Sequence, residues 1–153
     1  MIIYFDMDGV LTNFRKRIEE YKTEGKQTDY EFWVSLEELL NRQFVEALKI
    51  KGYQLGIVSA LPSKPYHAEN AEAGKRKWLE NHYKGIFDPI FIISSSKGKC
   101  CSSRDILIDN KQSNIDDWNA AGGIGIYFDG YTEFGLNLME KLKPYLQKDK
   151  PSS

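Results

Sequence analysis

The sequence predicts an α/β domain with a mostly parallel five-stranded sheet and a small helical insertion after its first strand. Three observations favour this class: short apolar runs, helical patterns between most of them, and one long interval after the first run. Several runs are continuously apolar, which is typical of strands covered on both faces. The runs are IIYF at 2–5, QLGIVSA at 54–60, PIFIIS at 89–94, DILIDN at 105–110 and GIGIYF at 123–128.

Helical patterns separate most of these runs, which gives the strand–helix alternation of a parallel sheet. Gly52 is the expected stop of the first pattern, and Ser113 is the expected N-cap of the third. The interval between the third and fourth apolar runs is too short for a full helix. The four patterns cover residues 41–53, 69–83, 113–123 and 132–146.

The interval between the first two strands, residues 7–53, is much longer than a crossover requires. A crossover between parallel strands needs only about a dozen residues. The surplus, about residues 14–40, contains the helical patterns FRKRIEEYKTEG and DYEFWVSLEELL. We therefore expect a small helical cap within a single domain that spans residues 1–153.

Composition excludes several classes of protein. The chain is 41% apolar and 28% charged with a net charge of −1, so no overall field favours nucleic acid or a membrane. No apolar stretch approaches the ~18 residues of a membrane span, and the first is too short for a signal peptide. The two cysteines, Cys100 and Cys101, are adjacent and form no crosslinked framework. A reduced, cytoplasmic protein is the expectation.

Polar residues follow the apolar runs where each predicted strand ends. Ligands of open parallel sheets bind at the carboxyl ends of the strands. Carboxylate oxygens suit Mg²⁺, a carboxylate can attack phosphorus, and a second carboxylate can move protons. A lysine and the metal can neutralise phosphate oxygens. The pattern favours phosphoryl transfer by Asp6, Asp8, Ser59, Lys97, Lys99 and Asp109.

Four stretches, DMDGVLTN, GIVSA, KGK and DILIDN, resemble in order the motifs of the haloacid dehalogenase-like (HAD) phosphohydrolases. The resemblance implies a three-layer Rossmann-like core and Mg²⁺-dependent hydrolysis of a phosphate monoester through an aspartyl phosphate. It implies that Asp6 is the nucleophile and a metal ligand, and that Asp109 is a second metal ligand. It makes Asp8 the general acid/base, with its backbone carbonyl on the metal.

The same resemblance implies that Ser59 and Ala60 bind the phosphate and that Lys99 is the catalytic lysine. Lys97, Lys75 and Lys77 compete with Lys99 for that role. The sequence departs from the family where a second acid often follows the fourth-motif aspartate, because Asn110 stands there.

A narrower resemblance is to the 5'(3')-deoxyribonucleotidases of this superfamily, which have a small helical cap and aromatic side chains around the base. It implies that Phe14, Phe32 and Trp33 hold a base and that Lys64 and Lys97 contact the substrate, a small nucleoside monophosphate. Packing of the three aromatic rings in the core is the alternative.

Other functions remain open at this point. One is a phosphatase that acts on another small phosphate ester or on a polynucleotide end. Nucleic acid would need a basic track, which the net charge of −1 does not favour. Another is a relative that binds a phosphorylated ligand without turning it over, a reading that Asn110 suggests.

Overall fold

The computed structural model describes residues 1–148. Five strands alternate with six helices in the described residues, and a short 3₁₀ turn over Lys97–Cys100 joins β3 to β4. None of these helices is long and apolar enough to cross a bilayer. The elements are β1 (Ile2–Phe5), α1 (Phe14–Thr23), α2 (Tyr30–Val34), α3 (Arg42–Ile50), β2 (Gln54–Ala60), α4 (Pro65–Tyr83), β3 (Phe87–Ile93), β4 (Ile106–Asp109), α5 (Gln112–Ala120), β5 (Ile124–Tyr127) and α6 (Gly135–Lys148).

The five strands form one sheet in the order β3-β2-β1-β4-β5. Every neighbouring pair is parallel. The central strand, β1, pairs with β2 on one side and β4 on the other, with Phe5 opposite Ile57 and Ile108. This order confirms the predicted α/β class and brings the carboxyl ends of β2, β1 and β4 next to each other.

Both faces of the sheet are covered, as the continuously apolar strands predicted. Ile3 and Phe5 of β1 belong to the larger buried cluster, whereas Tyr4 packs with Leu107 and Trp118 in the smaller one. This alternation follows from the two-residue period of a strand, which points successive side chains to opposite faces. The result is a three-layer core with the sheet in the middle.

Two helix starts differ from the sequence prediction. α4 begins at Pro65 rather than near residue 69, and proline suits the first turn because it lacks an N–H. α5 has Lys111 as its N-cap, so the prediction of Ser113 as N-cap was wrong. The reason lies in Asp109, whose Oδ1 accepts a hydrogen bond from the Lys111 N–H at 3.0 Å and turns the chain directly into the helix.

The cap segment, residues 14–40, contains α1 and α2. Its second helical pattern predicted a helix as far as residue 40, but α2 ends at Val34. Beyond it the backbone pairs with the chain that leaves β1, and these bonds replace helical ones. We call this pairing the neck, and it consists of Asn13 N to Glu37 O (2.9 Å), Leu39 N to Leu11 O (2.8 Å) and Leu40 N to Val10 O (3.1 Å).

Candidate active site

Three polar side chains lie buried at the carboxyl ends of the adjacent strands. Asp6 follows β1 directly and keeps 7% of its surface exposed, whereas Ser59 in β2 and Asp109 at the end of β4 are fully buried. Burial of charge is costly unless the group is paired. The sequence predicted that these residues share one edge of the sheet, and the strand order brings them together.

The turn after β1 places Asp8 beside this edge. Val10, Leu11 and Thr12 donate their backbone N–H groups to the Met7 carbonyl and close the turn. Gly9 has a φ of +88°, and a Cβ there would lie 2.0 Å from Nδ2 of Asn110, so both conformation and space require glycine. The Asp8 carboxylate accepts a hydrogen bond from the Thr12 hydroxyl through Oδ1 at 2.9 Å.

Lys97 joins two carboxylates in what we call the Lys97 corner, formed by Asp6, Lys97 and Asp109. Its Nζ lies 2.9 Å from Oδ1 of Asp6 and 2.7 Å from Oδ2 of Asp109, with 2% of the side chain exposed. Burial acts to lower the pKa of Lys97, but the two carboxylates outweigh it and raise the pKa above its ordinary value. The lysine is therefore a permanent cation inside the site.

The prediction that Lys99 is the lysine of this site was wrong, because the structure places Lys97 beside Asp6 and leaves Lys99 exposed. The 3₁₀ turn decides which lysine points inward. Asp117 of α5 anchors this turn by accepting hydrogen bonds from the Ser96 hydroxyl and from the Gly98 N–H, the latter at 2.6 Å.

Asp6 is an unusual carboxylate. Burial raises its pKa from 3.8 to about 7; Lys97 opposes this shift, and the nearby charges of Asp109 and Asp8 add to it. Only Oδ1 is held, by Lys97. Among the described residues nothing donates a hydrogen bond to Oδ2 of Asp6, so the lone pairs of this oxygen are not engaged by a hydrogen bond.

Asp109 is held more completely than Asp6. Oδ1 accepts from the Lys111 N–H, and Oδ2 accepts from both Lys97 and Nδ2 of Asn114 at 3.1 Å. Sequence reasoning missed Asn114, although its place one turn into α5 directly after β4 was a usable signal.

The donor set of the Lys97 corner fits a hard divalent cation. Oxygens of Asp6 and Asp109 already converge on one cationic atom, the Nζ of Lys97. Residues 1–148 contain no group of three or more His, Cys, Asp or Glu side chains arranged around a metal position. A bound Mg²⁺ would therefore depend on two carboxylates, backbone carbonyl and water, which matches its habit of keeping several waters.

A second lysine, Lys75 of α4, joins Asp8 to β2 in what we call the Lys75 corner, formed by Asp8, Lys75 and Ser59. Its Nζ lies 3.0 Å from Oδ2 of Asp8, 2.7 Å from Oγ of Ser59 and 3.0 Å from the carbonyl of Ala60. The side chain is 1% exposed. The sequence offered Lys75 only as a competitor of Lys99, because contacts 67 residues apart depend on how α4 packs.

A cavity of about 340 Å³ lies between the cap segment and the loop after β2. Phe14 and Trp33 line it, with ring centroids 5.7 Å apart and an angle of 28° between the rings. His67, to which the sequence assigned no role, holds the cap segment through contacts of Nδ1 with the hydroxyl and carbonyl of Thr28 at 3.1 and 3.2 Å. The remaining lining residues are Pro62, Ser63 and Lys64.

Phe32 does not line this cavity, which corrects the prediction that it contacts substrate. Its side chain is fully buried and packs edge-on against Phe14, Trp33 and Tyr21. Phe32 therefore supports the two rings that line the cavity. Two other residues that the sequence assigned to substrate binding lie near the loop after β2. The carbonyl of Ala60 accepts a hydrogen bond from Lys75, and Lys64 is exposed at the N-cap of α4.

Comparison with known proteins identifies the fold. No protein-family profile matches the chain, and no curated protein sequence matches it. A haloacid dehalogenase-like family hydrolase from Xanthomonas campestris superposes with a TM-score of 0.61 at 12% identity, covering 97% of this chain and 94% of that one. The chain has the HAD-like hydrolase fold.

Two further structures superpose on this chain over nearly its whole length. An uncharacterized protein from Corynebacterium glutamicum gives a TM-score of 0.55 at 17% identity, with coverage of 93% of this chain and 94% of that one. The HAD domain of an effector protein from Legionella pneumophila, an inactive mutant, gives a TM-score of 0.52 at 12% identity, with 98% of each chain covered. At these identities the likeness establishes the fold, and the narrower resemblance to deoxyribonucleotidases stays a prediction.

Proposed function

We propose that this protein is a Mg²⁺-dependent phosphomonoester hydrolase in which Asp6 is the nucleophile. The state of the Asp6 carboxylate carries the proposal: Lys97 holds Oδ1, and Oδ2 has no hydrogen-bond donor among the described residues. A nucleophilic carboxylate needs one oxygen fixed and the other open to phosphorus.

The reaction then has two steps. In the first, Oδ2 of Asp6 forms a bond to phosphorus, the bond from phosphorus to the leaving oxygen breaks, and Asp8 gives that oxygen a proton. In the second, Asp8 takes a proton from water as the water oxygen bonds to phosphorus. The bond to Asp6 breaks, and inorganic phosphate leaves.

Mg²⁺ would be held by the carboxylates of Asp6 and Asp109 together with the backbone carbonyl of Asp8. Such an ion would supply positive charge to the phosphate oxygens. Ser59 donates its hydroxyl to the same phosphate, and Lys97 keeps the Asp6 carboxylate in place.

The substrate class that we favour is a nucleoside monophosphate. The cavity beside the cap segment has the size of a small-ligand site, and Phe14 and Trp33 are among the residues that line it. Aromatic faces stack on bases, and Lys64 at the cavity offers a cation to a polar substituent.

A phosphate-release assay tests the hydrolase. We expect release of phosphate from p-nitrophenyl phosphate with Mg²⁺ and none after chelation. Asp6→Asn is expected to lose at least roughly 10⁴-fold in kcat because an amide is not a nucleophile. Circular dichroism should give the same folded spectrum for both proteins. A folded Asp6→Asn protein with wild-type turnover would refute the assignment of Asp6.

A substrate panel with Phe14→Ala tests the nucleotide class. We expect deoxyribonucleoside monophosphates to exceed sugar phosphates in kcat/KM. Loss of the Phe14 ring should raise KM for nucleotides by roughly 10-fold, because about that much affinity comes from one base stacked on an aromatic ring. KM for p-nitrophenyl phosphate should be nearly unchanged, because this substrate has no base. Equal or greater turnover of sugar phosphates would rule out nucleotides and leave the hydrolase proposal intact.

A further inference from the structure

Lys75 is a fully buried lysine whose three N–H groups are all engaged. They match three acceptors, which are Oδ2 of Asp8, Oγ of Ser59 and the carbonyl of Ala60, at 3.0, 2.7 and 3.0 Å. A lysine ammonium has three donors and no acceptor. Lys75 therefore has no N–H left for a substrate phosphate, which separates it from a phosphate-binding lysine.

The contact with Asp8 completes the restraint of that carboxylate. Thr12 donates to Oδ1 at 2.9 Å, and Lys75 donates to Oδ2 at 3.0 Å. With both oxygens held, the carboxylate has one orientation at the edge of the site. Without Lys75, Asp8 has only the Thr12 hydroxyl, about which it can swing.

The contact with Ser59 sets the direction of its hydroxyl. Lys75 donates to Oγ, so Ser59 uses a lone pair for this bond and keeps its own hydrogen. Among the described residues no acceptor takes that hydrogen. Ser59 is thereby left as a donor for a group that arrives at the end of β2.

The cap segment covers the side chain of Lys75. Its Nζ lies 5.0 Å from the ring centroid of Trp33, a favourable position for a cation over an aromatic face. The preceding residue, Gly74, touches α2 so closely that a Cβ would lie 2.4 Å from Cβ of Trp33. Helix α2 therefore seals Lys75 from water.

We propose that Lys75 is a positioning residue for Asp8 and Ser59. It fixes the Asp8 side chain so that its carboxyl group, when protonated, reaches the leaving oxygen, and it leaves the Ser59 hydroxyl as a donor to the substrate phosphate. This inference rests on the phosphatase function proposed above. It assigns α4, an element outside the strand ends, to leaving-group protonation.

The test compares two substrates that differ in the basicity of the leaving group. Phenyl phosphate has a poor leaving group that depends on protonation, whereas p-nitrophenyl phosphate has a good one that does not. For Lys75→Met we expect roughly a 10²-fold or greater loss of kcat/KM with phenyl phosphate, the usual contribution of a general acid; kcat/KM is compared because it reports only the steps up to departure of the leaving group. The loss with p-nitrophenyl phosphate should be at least about 10-fold smaller. Lys77→Met, an exposed lysine on the same helix, is the matched control and should equal the wild type.

Each outcome decides the proposal. An equal loss with both substrates, or an increase in KM alone, would overturn positioning of Asp8 in favour of a structural or phosphate-binding role. If Lys75→Met does not fold, Lys75→Gln is measured in the same way; it retains a donor but cannot reach all three acceptors. No turnover by the wild type with either substrate would reject the phosphatase function and this inference with it. Wild-type turnover with a uniform loss in the variant rejects the inference alone.

Discussion

The two buried lysines of the site lie on opposite sides of the turn after β1, and they differ in what they neutralise. Lys97 contacts two carboxylates, Asp6 and Asp109, whereas Lys75 contacts one carboxylate, Asp8, and two neutral oxygens. With every carboxylate ionised, the Lys97 corner has one negative charge more than its lysine neutralises, whereas the Lys75 corner has one charge of each sign. In the proposed mechanism the first corner would therefore take the divalent cation, and the second would hold Asp8 for proton transfer.

The largest expected effect comes from removing the cation of the Lys97 corner. Lys97→Met leaves Asp6 and Asp109 buried and unpaired, which costs about 3–5 kcal/mol in the free energy of unfolding. Urea denaturation would measure the loss. Phosphate release should fall to background at the same time, because the Asp6 carboxylate loses its restraint.

Lys99→Met is the matched control for this variant. The side chain is exposed, so the free energy of unfolding should change by less than about 0.5 kcal/mol. A reversed result, with Lys99→Met destabilised and Lys97→Met unaffected, would restore the sequence prediction and refute the geometry of the 3₁₀ turn.

Binding of Mg²⁺ should have an intermediate effect on the free energy of unfolding, and it tests whether the Lys97 corner attracts a cation. Mg²⁺ at 100 times its Kd should add about 2.7 kcal/mol to the free energy of unfolding, because only the folded chain assembles the site. Calorimetric melts with Mg²⁺ and with a chelator measure this stabilisation. Asp109→Asn should abolish it, since one of the two metal carboxylates is gone.

Asp116→Asn is the matched control for Asp109→Asn. It also removes one carboxylate, but from the exposed face of α5 and away from the Lys97 corner. Its melting temperature should respond to Mg²⁺ as the wild type does. Stabilisation that survives Asp109→Asn would place the cation elsewhere than the Lys97 corner.

The smallest expected effect concerns the anchor of the 3₁₀ turn. Hydrogen bonds from Ser96 and from the Gly98 N–H hold the pKa of Asp117 below its ordinary value of 3.8. A carboxylate whose pKa is lower in the folded than in the unfolded state stabilises the protein at pH values above its unfolded-state pKa. This stability is lost as the pH falls through the folded-state pKa. Asp117→Asn should therefore cost less than about 1 kcal/mol at pH 7, because the group is partly exposed and solvent screens its charge.

The difference between Asp117→Asn and the wild type should begin to shrink as the pH falls below the unfolded-state pKa of about 4 and should disappear below the lowered folded-state pKa of Asp117. Denaturant midpoints at a series of pH values check this convergence. A difference that stays constant across that range would mean that the anchor does not depend on the charge of Asp117.

Sequence patterns were most informative where a residue's position follows from its strand. Asp6 and Asp109 come directly at the ends of buried runs, so the parallel sheet alone brings them together. The role of Phe14 in holding a base was predicted from the resemblance to deoxyribonucleotidases and stays a prediction; the structure places the residue at the cavity beside the cap segment.

Sequence reasoning failed where tertiary packing decides. Lys97 and Lys99 are separated only by Gly98, and which of them is buried depends on the conformation of the 3₁₀ turn, to which Asp117 contributes hydrogen bonds. Lys75 lies in the middle of a helix whose pattern gives no hint that one lysine faces inward. α2 stops at Val34 because backbone pairing at the neck outweighs the helical pattern beyond it.

The neck has a consequence for protein engineering. Its three backbone hydrogen bonds bring residues 10–13 beside residues 37–40, so the cap segment begins and ends at nearly one place. Because entry and exit coincide, the neck can hold a segment of different length without moving the strand ends, provided that a residue in the place of Trp33 still covers Lys75. Insertions and substitutions aimed at a new substrate therefore belong in the cap segment away from α2, whose contact with α4 has to be kept.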